Sequence, residues 1–284
     1  MDTTALRSSD AHRVGASPPL RVWPVLVVGG LVATLGLIRL IRTLTRMAGP
    51  DSEQATEALA HVFSLAPMLW FVGIKAAVHL GISLIAAVAS RRRVSDRLRL
   101  GPSKRPLGTS ARHLILATGA TFSLGLAGWS AACLIGADRF SQISLGDGML
   151  ETLPASLFMV LVMAWVIGGA IEDVFYRGFI QTPLAERWGR WPAIGASAAI
   201  FGLAHSDVVH STLMVLMGLL LGWLVEVHGS IRPAIVAHVG NNTLSCLWTR
   251  FLPGTPLTRT AHGVVFALGL VIALSCLVRL RKAA

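Results

Sequence analysis

Eight apolar stretches set the terms on which this chain can fold. Residues 22–44, 60–89, 113–137, 154–180, 191–208, 211–228, 233–250 and 261–280 each approach a membrane-crossing length. A hydrocarbon core of ~30 Å takes about 20 helical residues to cross. In lipid a backbone N–H or C=O has no water to bond, so a spanning segment is a helix or part of a closed barrel. The alternating pattern of barrel strands does not appear in the sequence. The expectation is an all-α fold: a polytopic transmembrane helix bundle of about eight spans. Composition agrees, since 54% of the 284 residues are hydrophobic and 14% charged, against about 25% charged in a soluble domain.

The net charge of +11 invites a nucleic-acid reading. The basic residues, however, gather at the ends of apolar runs, where they encode topology. The implied partner is the lipid bilayer, not nucleic acid. The loop from Arg91-Arg92-Arg93 to Lys104-Arg105 places the second-to-third connection in the cytoplasm. With eight spans both termini join it there, in a multi-pass protein of the cell (inner) membrane. Arg39, Arg42 and Arg46 then fall on the opposite side, and must snorkel or belong to a short or tilted first helix. The run from Val22 to Ile38 lacks a small-residue cleavage site and reads as a retained signal-anchor helix. Cys133, Cys246 and Cys276, odd in number and all in apolar stretches, give neither a disulfide framework nor a zinc ligand set.

Four regions result. Residues 1–21 are polar, contain Pro18-Pro19, and are expected to be a disordered cytoplasmic N-terminus. Residues 22–150 hold variable N-terminal transmembrane helices, 151–250 a polar-studded core in spans 4–7, and 251–284 a closing helix with a basic tail.

The core is where chemistry is expected. Glu172, Asp173 and Arg177 lie in one apolar stretch, His205 in the next, and His238 with Asn242 two stretches later. Ionisable groups inside a span are costly and face a bundle interior, so they mark a functional site by default. Asp173 and Arg177 are four apart with the acid first, the favourable order for a pair on one helix face. Glu172 lies ~100° around the helix from Asp173, which leaves it a spare carboxylate suited to general-base work. Phe201 and His205 share a face, as do His238 and Asn242, at four-residue spacing. Two donors on one turn suit a developing oxyanion. Asn241 points away and reads as structural, and Gly240 allows close approach of another backbone. Asp207 and His210 fall in a short connection from which they could orient His205.

In this order, and within about 70 residues, the three motifs closely resemble those of the CPBP intramembrane protease family, also called the Abi or type II CAAX prenyl endopeptidase group. Its Glu-Glu-x-x-x-Arg is matched by Glu172, Asp173 and Arg177, its Phe-x-x-x-His by Phe201 and His205, and its His-x-x-x-Asn by His238 and Asn242. The resemblance implies a glutamate-dependent intramembrane endopeptidase acting on membrane-embedded or membrane-associated peptides. Glu172 and His205 would activate a water, and His238 with Asn242 would hold the tetrahedral oxyanion. Asp173, Arg177 and Phe201 would support the site. Asp173 departs from the family's usual second Glu; it keeps the charge but is one methylene shorter.

Other readings of the same residues stand beside this one. Glu172, His205 and His238 form a possible His₂Glu zinc set with an open position, although the chain has no His-Glu-x-x-His and the ligands would come from three helices. The resemblance favours a metal-free site, with zinc as the alternative. A non-proteolytic immunity or scaffold protein, or a proton-coupled transporter, could also carry such residues. A transporter would be expected to show internal repeats, and none is visible; Gly218-x-x-x-Gly222 reads as a close helix contact. Depth poses a puzzle. With the fourth span ending at 180, Glu172 lies ~12 Å and His238 ~8 Å from the cytoplasmic ends of their helices, but His205 lies ~21 Å from residue 191. The expected resolution is that the connection around Trp188–Trp191 dips into the interface and the site opens toward the cytoplasm.

Overall fold

The computed structural model describes residues 28–29, 31–32, 35–36, 65–90, 92–138, 154–205, 208–251 and 257–283. Among them every regular element is helical. We number the helices α1 (Leu65–Ala89), α2 (Val94–Arg97), α3 (Leu107–Ile135), α4 (Ala155–Asp173), α5 (Thr182–Trp188), α6 (Arg190–Leu203), α7 (Val208–His228), α8 (Arg232–Phe251) and α9 (Arg259–Ala283). A π-helical segment, Val174–Gln181, joins α4 to α5.

Five runs are long and apolar enough to cross a membrane: Val72–Ala89, Leu107–Ile135, Leu157–Trp188, Val208–His228 and Arg259–Lys282. The protein is a multi-pass helical membrane protein, and the expected eight spans reduce to five among the described residues. The stretch 22–44 lies largely outside them, as do residues 1–21 and Arg39, Arg42 and Arg46. Helix α6, in place of the expected 191–208, has 14 residues, and ~21 Å of helix falls short of the hydrocarbon core. Helix α8 has 20 residues, but Arg232, His238, Asn241, Asn242 and Arg250 dilute its apolar content.

The fourth apolar stretch does not end near residue 180. It runs on as one helical rod through the π segment and α5 to Trp188, turns at Gly189 (φ 83°), and returns as α6. Glu172 therefore lies about as far before the turn as His205 lies after it. That symmetry brings the two residues to one level and removes the mismatch between Glu172 and His205. Rungs cross the hairpin at that level, with Ser197 Oγ donating to the Tyr176 carbonyl at 2.7 Å and the Phe201 ring edge-on to Tyr176 at 5.0 Å. A π turn leaves main-chain carbonyls without their α-helical donors. Here side chains supply donors to three successive carbonyls: Ser197 to Tyr176, Thr182 Oγ1 to Arg177 at 2.9 Å, and Arg97 Nη1 to Gly178 at 3.3 Å. Arg97 comes from the basic loop outside the spans and is only 3% exposed; burial lowers its guanidinium pKa to about 10.

Helix α7 packs on α6 through Gly218 and Gly222. A Cβ at Gly218 would meet Ala198 Cα at 2.9 Å, and one at Gly222 would meet Gln181 Oε1 at 2.7 Å. The expected close helix contact is present. The turn from α7 to α8 is fixed by the basic loop: Lys104 N–H donates to the His228 carbonyl at 2.9 Å and Ile231 N–H to the Arg99 carbonyl at 3.0 Å. This sets where α8 begins, and hence where His238 meets α4.

Candidate active site

The site forms where the end of α4 meets α6 and α8. Asp173 and Arg177 are 0% and 1% exposed, with Oδ1 3.1 Å from Nη1. The contact is an ion pair without hydrogen-bond alignment: among the described residues neither Nη atom of Arg177 has an aligned acceptor. The rest of the guanidinium is met by a ring face, since its central carbon lies 4.3 Å from the centroid of Phe201. A cation over an aromatic face gains about 2 kcal/mol or more once desolvated. Phe201 thus seats Arg177, which spacing within a single helix could not reveal. It also stands edge-on to His205 at 4.9 Å and to His238 at 5.8 Å, so one ring touches three of the motif residues.

Asp173 has a second partner. His238 Nδ1 lies 3.1 Å from Asp173 Oδ2. A carboxylate only accepts, so Nδ1 carries the proton and Nε2 is directed elsewhere. Nε2 lies 3.9 Å from Glu172 Oε2. Asp173 therefore both pairs with Arg177 and orients His238, as a buried acid does behind a catalytic imidazole.

Glu172 is not the spare acid that helix geometry predicts. Its Oε1 lies 2.5 Å from the ammonium of Lys75 in α1. In apolar surroundings a carboxylate without a partner is strongly unfavourable, and Lys75 supplies the partner from outside the motif-bearing region. Lys75 has no motif of its own. The only signal that could have found it is a lone lysine in the middle of an apolar stretch, which merits the same suspicion as Glu172.

His205 lies just past the end of α6, with its Nδ1 2.8 Å from the Phe201 carbonyl. That carbonyl also only accepts, so in the neutral ring Nε2 is left as the basic nitrogen. Both His205 and His238 lie within the electrostatic reach of Glu172. The His210 ring is 4.7 Å from that of His205, and Asp207 lies outside the described residues. Asn242 donates from Nδ2 to the Trp165 carbonyl at 3.4 Å and accepts from Asn241 Nδ2 at 3.4 Å.

Gly169 holds the pieces together. A Cβ there would lie 3.0 Å from Asn242 Nδ2 and 3.4 Å from His238 Nε2, so the bare α4 backbone is what lets both side chains close on Glu172 and Asp173. Gly240 has the same close approach on another face, toward Thr118 at 3.0 Å. Gly169→Ala is expected to displace the two α8 side chains by a few tenths of an ångström while leaving the fold in place. Misplacement on the ångström scale can cost ~10²-fold in rate. The peptide cleavage expected from the sequence motifs, measured beside the melting temperature, checks this, with a large loss in the first and a small change in the second.

Among the described residues no three His, Cys, Asp or Glu side chains converge on a point that could hold a metal, the set Glu172, His205 and His238 included. The Lys75 ammonium already stands against Glu172 Oε1, where a cation would bind.

Residues 154–244 match the family model described as type II CAAX prenyl endopeptidase Rce1-like. The protein described as "Putative membrane peptidase YdiL" from Bacillus subtilis (strain 168) is 30% identical over 124 residues, which are 44% of this chain and 50% of that protein. The chain thus spans about half the length of the curated relative it matches. No solved structure matches it. Glu172, Asp173, Arg177, Phe201, His205, His238 and Asn242 all fall inside the matched stretch, and Lys75 falls outside it. Over residues 154–244, about a third of the chain, the protein is similar to the type II CAAX prenyl endopeptidase Rce1-like family.

Proposed function

We propose that this protein hydrolyses peptide bonds of membrane-associated substrates, with Glu172 as the general base and no metal in the step. The observation that carries the reading is the gap between Glu172 Oε2 and His238 Nε2. At 3.9 Å it is too long for a direct hydrogen bond, yet one water oxygen can contact both atoms. Glu172 takes a proton from that water as its oxygen attacks the scissile carbonyl carbon, with His205 Nε2 assisting. The carbonyl electron pair moves onto the oxygen. His238 and Asn242 stand beside the oxyanion until it collapses, when the C–N bond breaks and Glu172 returns its proton to the leaving amine. Asp173 accepts from Nδ1 and so fixes the His238 ring, and Arg177 on Phe201 keeps Asp173 in place. Glu172 lies near the midpoint of the Leu157–Trp188 run, which suits a bond presented from within the membrane. The cytoplasmic opening of the site, the cytoplasmic termini and the inner-membrane location belong to this same proposal.

The substrate probe follows from the family's description, which names prenylated CAAX chains. Purified protein in proteoliposomes is offered a farnesylated C-terminal peptide and the same peptide without the lipid, with products read by mass spectrometry. Cleavage of either supports the reading, and the contrast between them tells whether the lipid is recognised. If neither is cut, and membrane-peptide profiles of cells carrying wild type and Glu172→Ala coincide, the reading is overturned. Metal removal is a separate check. Activity is expected to survive exhaustive chelation, with elemental analysis showing far less than one metal per chain; loss on chelation and recovery with zinc would replace the metal-free step.

A further inference from the structure

Among the described residues, Lys75 is the one charged partner of the proposed site that the family match does not cover. It projects from α1, 97 positions before Glu172, and is 23% exposed against 15% for the acid. Its placement is set by a register between α1 and α4. Val72 Cγ1 lies 3.4 Å from where a Cβ on Gly168 would be, Lys75 meets Glu172, and His79 stacks on Phe175 with centroids 4.2 Å apart and planes within 9°. These contacts advance together along both chains, as they do between parallel helices. His79 also meets the Tyr176 ring edge-on at 5.5 Å. The lysine is thus held one turn before a stacked imidazole that locks α1 to the π segment.

An apolar residue in that position would pack α1 against α4 at lower cost. A buried ion pair is seldom more stabilising than the well-packed hydrophobes that could replace it, so helix packing alone does not account for a lysine here. Charge balance suggests what does. At rest Lys75 and Arg177 offset Glu172 and Asp173. When Glu172 takes the proton of the attacking water it becomes neutral, the carbonyl oxygen gains the negative charge, and the Lys75 ammonium loses its partner at that moment.

We propose that Lys75 is a positioning residue of the hydrolytic site: its ammonium fixes Glu172 through Oε1 so that Oε2 faces His238, and supplies the positive charge that balances the oxyanion. The proposal rests on the protease reading. It adds that the site is incomplete without α1, a helix outside the matched segment.

The test uses the full chain and has two arms. The first needs no turnover. Protein in native membranes is treated with a carbodiimide, which activates a carboxylate and lets an adjacent amine form an amide with net loss of one water. A Lys75–Glu172 cross-linked peptide is expected in wild type and not in Glu172→Gln. Its absence from wild type, with Glu172 modified by the reagent, overturns the pairing and the proposal. The second arm uses whichever of the two peptides wild type cleaves in proteoliposomes. Lys75→Met is expected to lower kcat about 100-fold, within the range for loss of one electrostatic contributor, with KM changed less than about twofold. Lys75→Arg, which keeps the charge, is expected to recover at least about tenfold of that loss. Should Lys75→Met fail to fold, Lys75→Gln takes its place beside Lys75→Arg. Full kcat in the neutral variant, or an arginine variant no better than the neutral one, overturns the role. Wild type that cleaves while Lys75→Met cleaves equally well sinks this proposal alone. Wild type indistinguishable from Glu172→Ala sinks the protease reading and this role with it.

Discussion

Glu172→Ala yields a folded, inserted protein that no longer processes the membrane peptides its parent does. The expected loss is at least ~10²–10⁴-fold, the usual contribution of a positioned general base. Two features of the site argue that folding survives. Glu172 is 15% exposed and its partner Lys75 23%, so the lysine left behind keeps some access to water. The fully buried pair, Asp173 with Arg177, is untouched, as is the bond from Asp173 to His238. Glu172→Gln sharpens the result, because it preserves volume and hydrogen bonding and removes only the ability to take a proton. Both variants are compared with wild type for melting temperature in detergent and for the membrane-peptide profile of the cells that carry them. Peptides that accumulate in both variants and vanish in wild type are the substrates. Normal processing by either variant ends the case for Glu172 as the base.

The parts of this site that were legible in the sequence are those that repeat within a single helix. Four-residue spacing pairs Asp173 with Arg177, Phe201 with His205, and His238 with Asn242, and each pair lies together in the structure. Contacts between helices carry no such signal. Asp173 orienting His238, Phe201 seating Arg177, and Lys75 meeting Glu172 each join side chains that no periodicity relates. For Glu172 this reversed the inference: facing away from Arg177 marked it as spare, whereas it faces α1. The fold was legible to a similar degree. Apolar runs gave helices and a membrane, but hydropathy ends a span where polarity rises, and Tyr176, Arg177 and Gln181 interrupt the fourth stretch without ending its helix. The π segment continues because Ser197, Thr182 and Arg97 supply donors to its carbonyls. Those donors come from α6, α5 and a distant loop, so only the folded chain could reveal them.

Asp173→Ala is expected to fail differently from Glu172→Ala. Arg177 is 1% exposed, and removing the anion it pairs with leaves a buried charge, at a cost of about 3–5 kcal/mol. The cation–π seat on Phe201 offsets only part of that. Folded yield and melting temperature should both fall. Asp173→Ala combined with Arg177→Met removes the stranded charge, and replacing a buried ion pair by apolar groups is often neutral or stabilising. The double variant should therefore recover folded yield. It should not recover activity, because His238 Nδ1 has lost the acceptor that holds its ring in place; in a comparable acid–imidazole pair, loss of the carboxylate costs ~10⁴ in kcat. Yield restored without turnover would separate the two duties of Asp173: stability through Arg177, chemistry through His238. Yield and turnover restored together would mean that orienting His238 is immaterial. A single Asp173→Ala variant with normal yield and no activity would exchange the two acids, making Asp173 the base and Glu172 the brace.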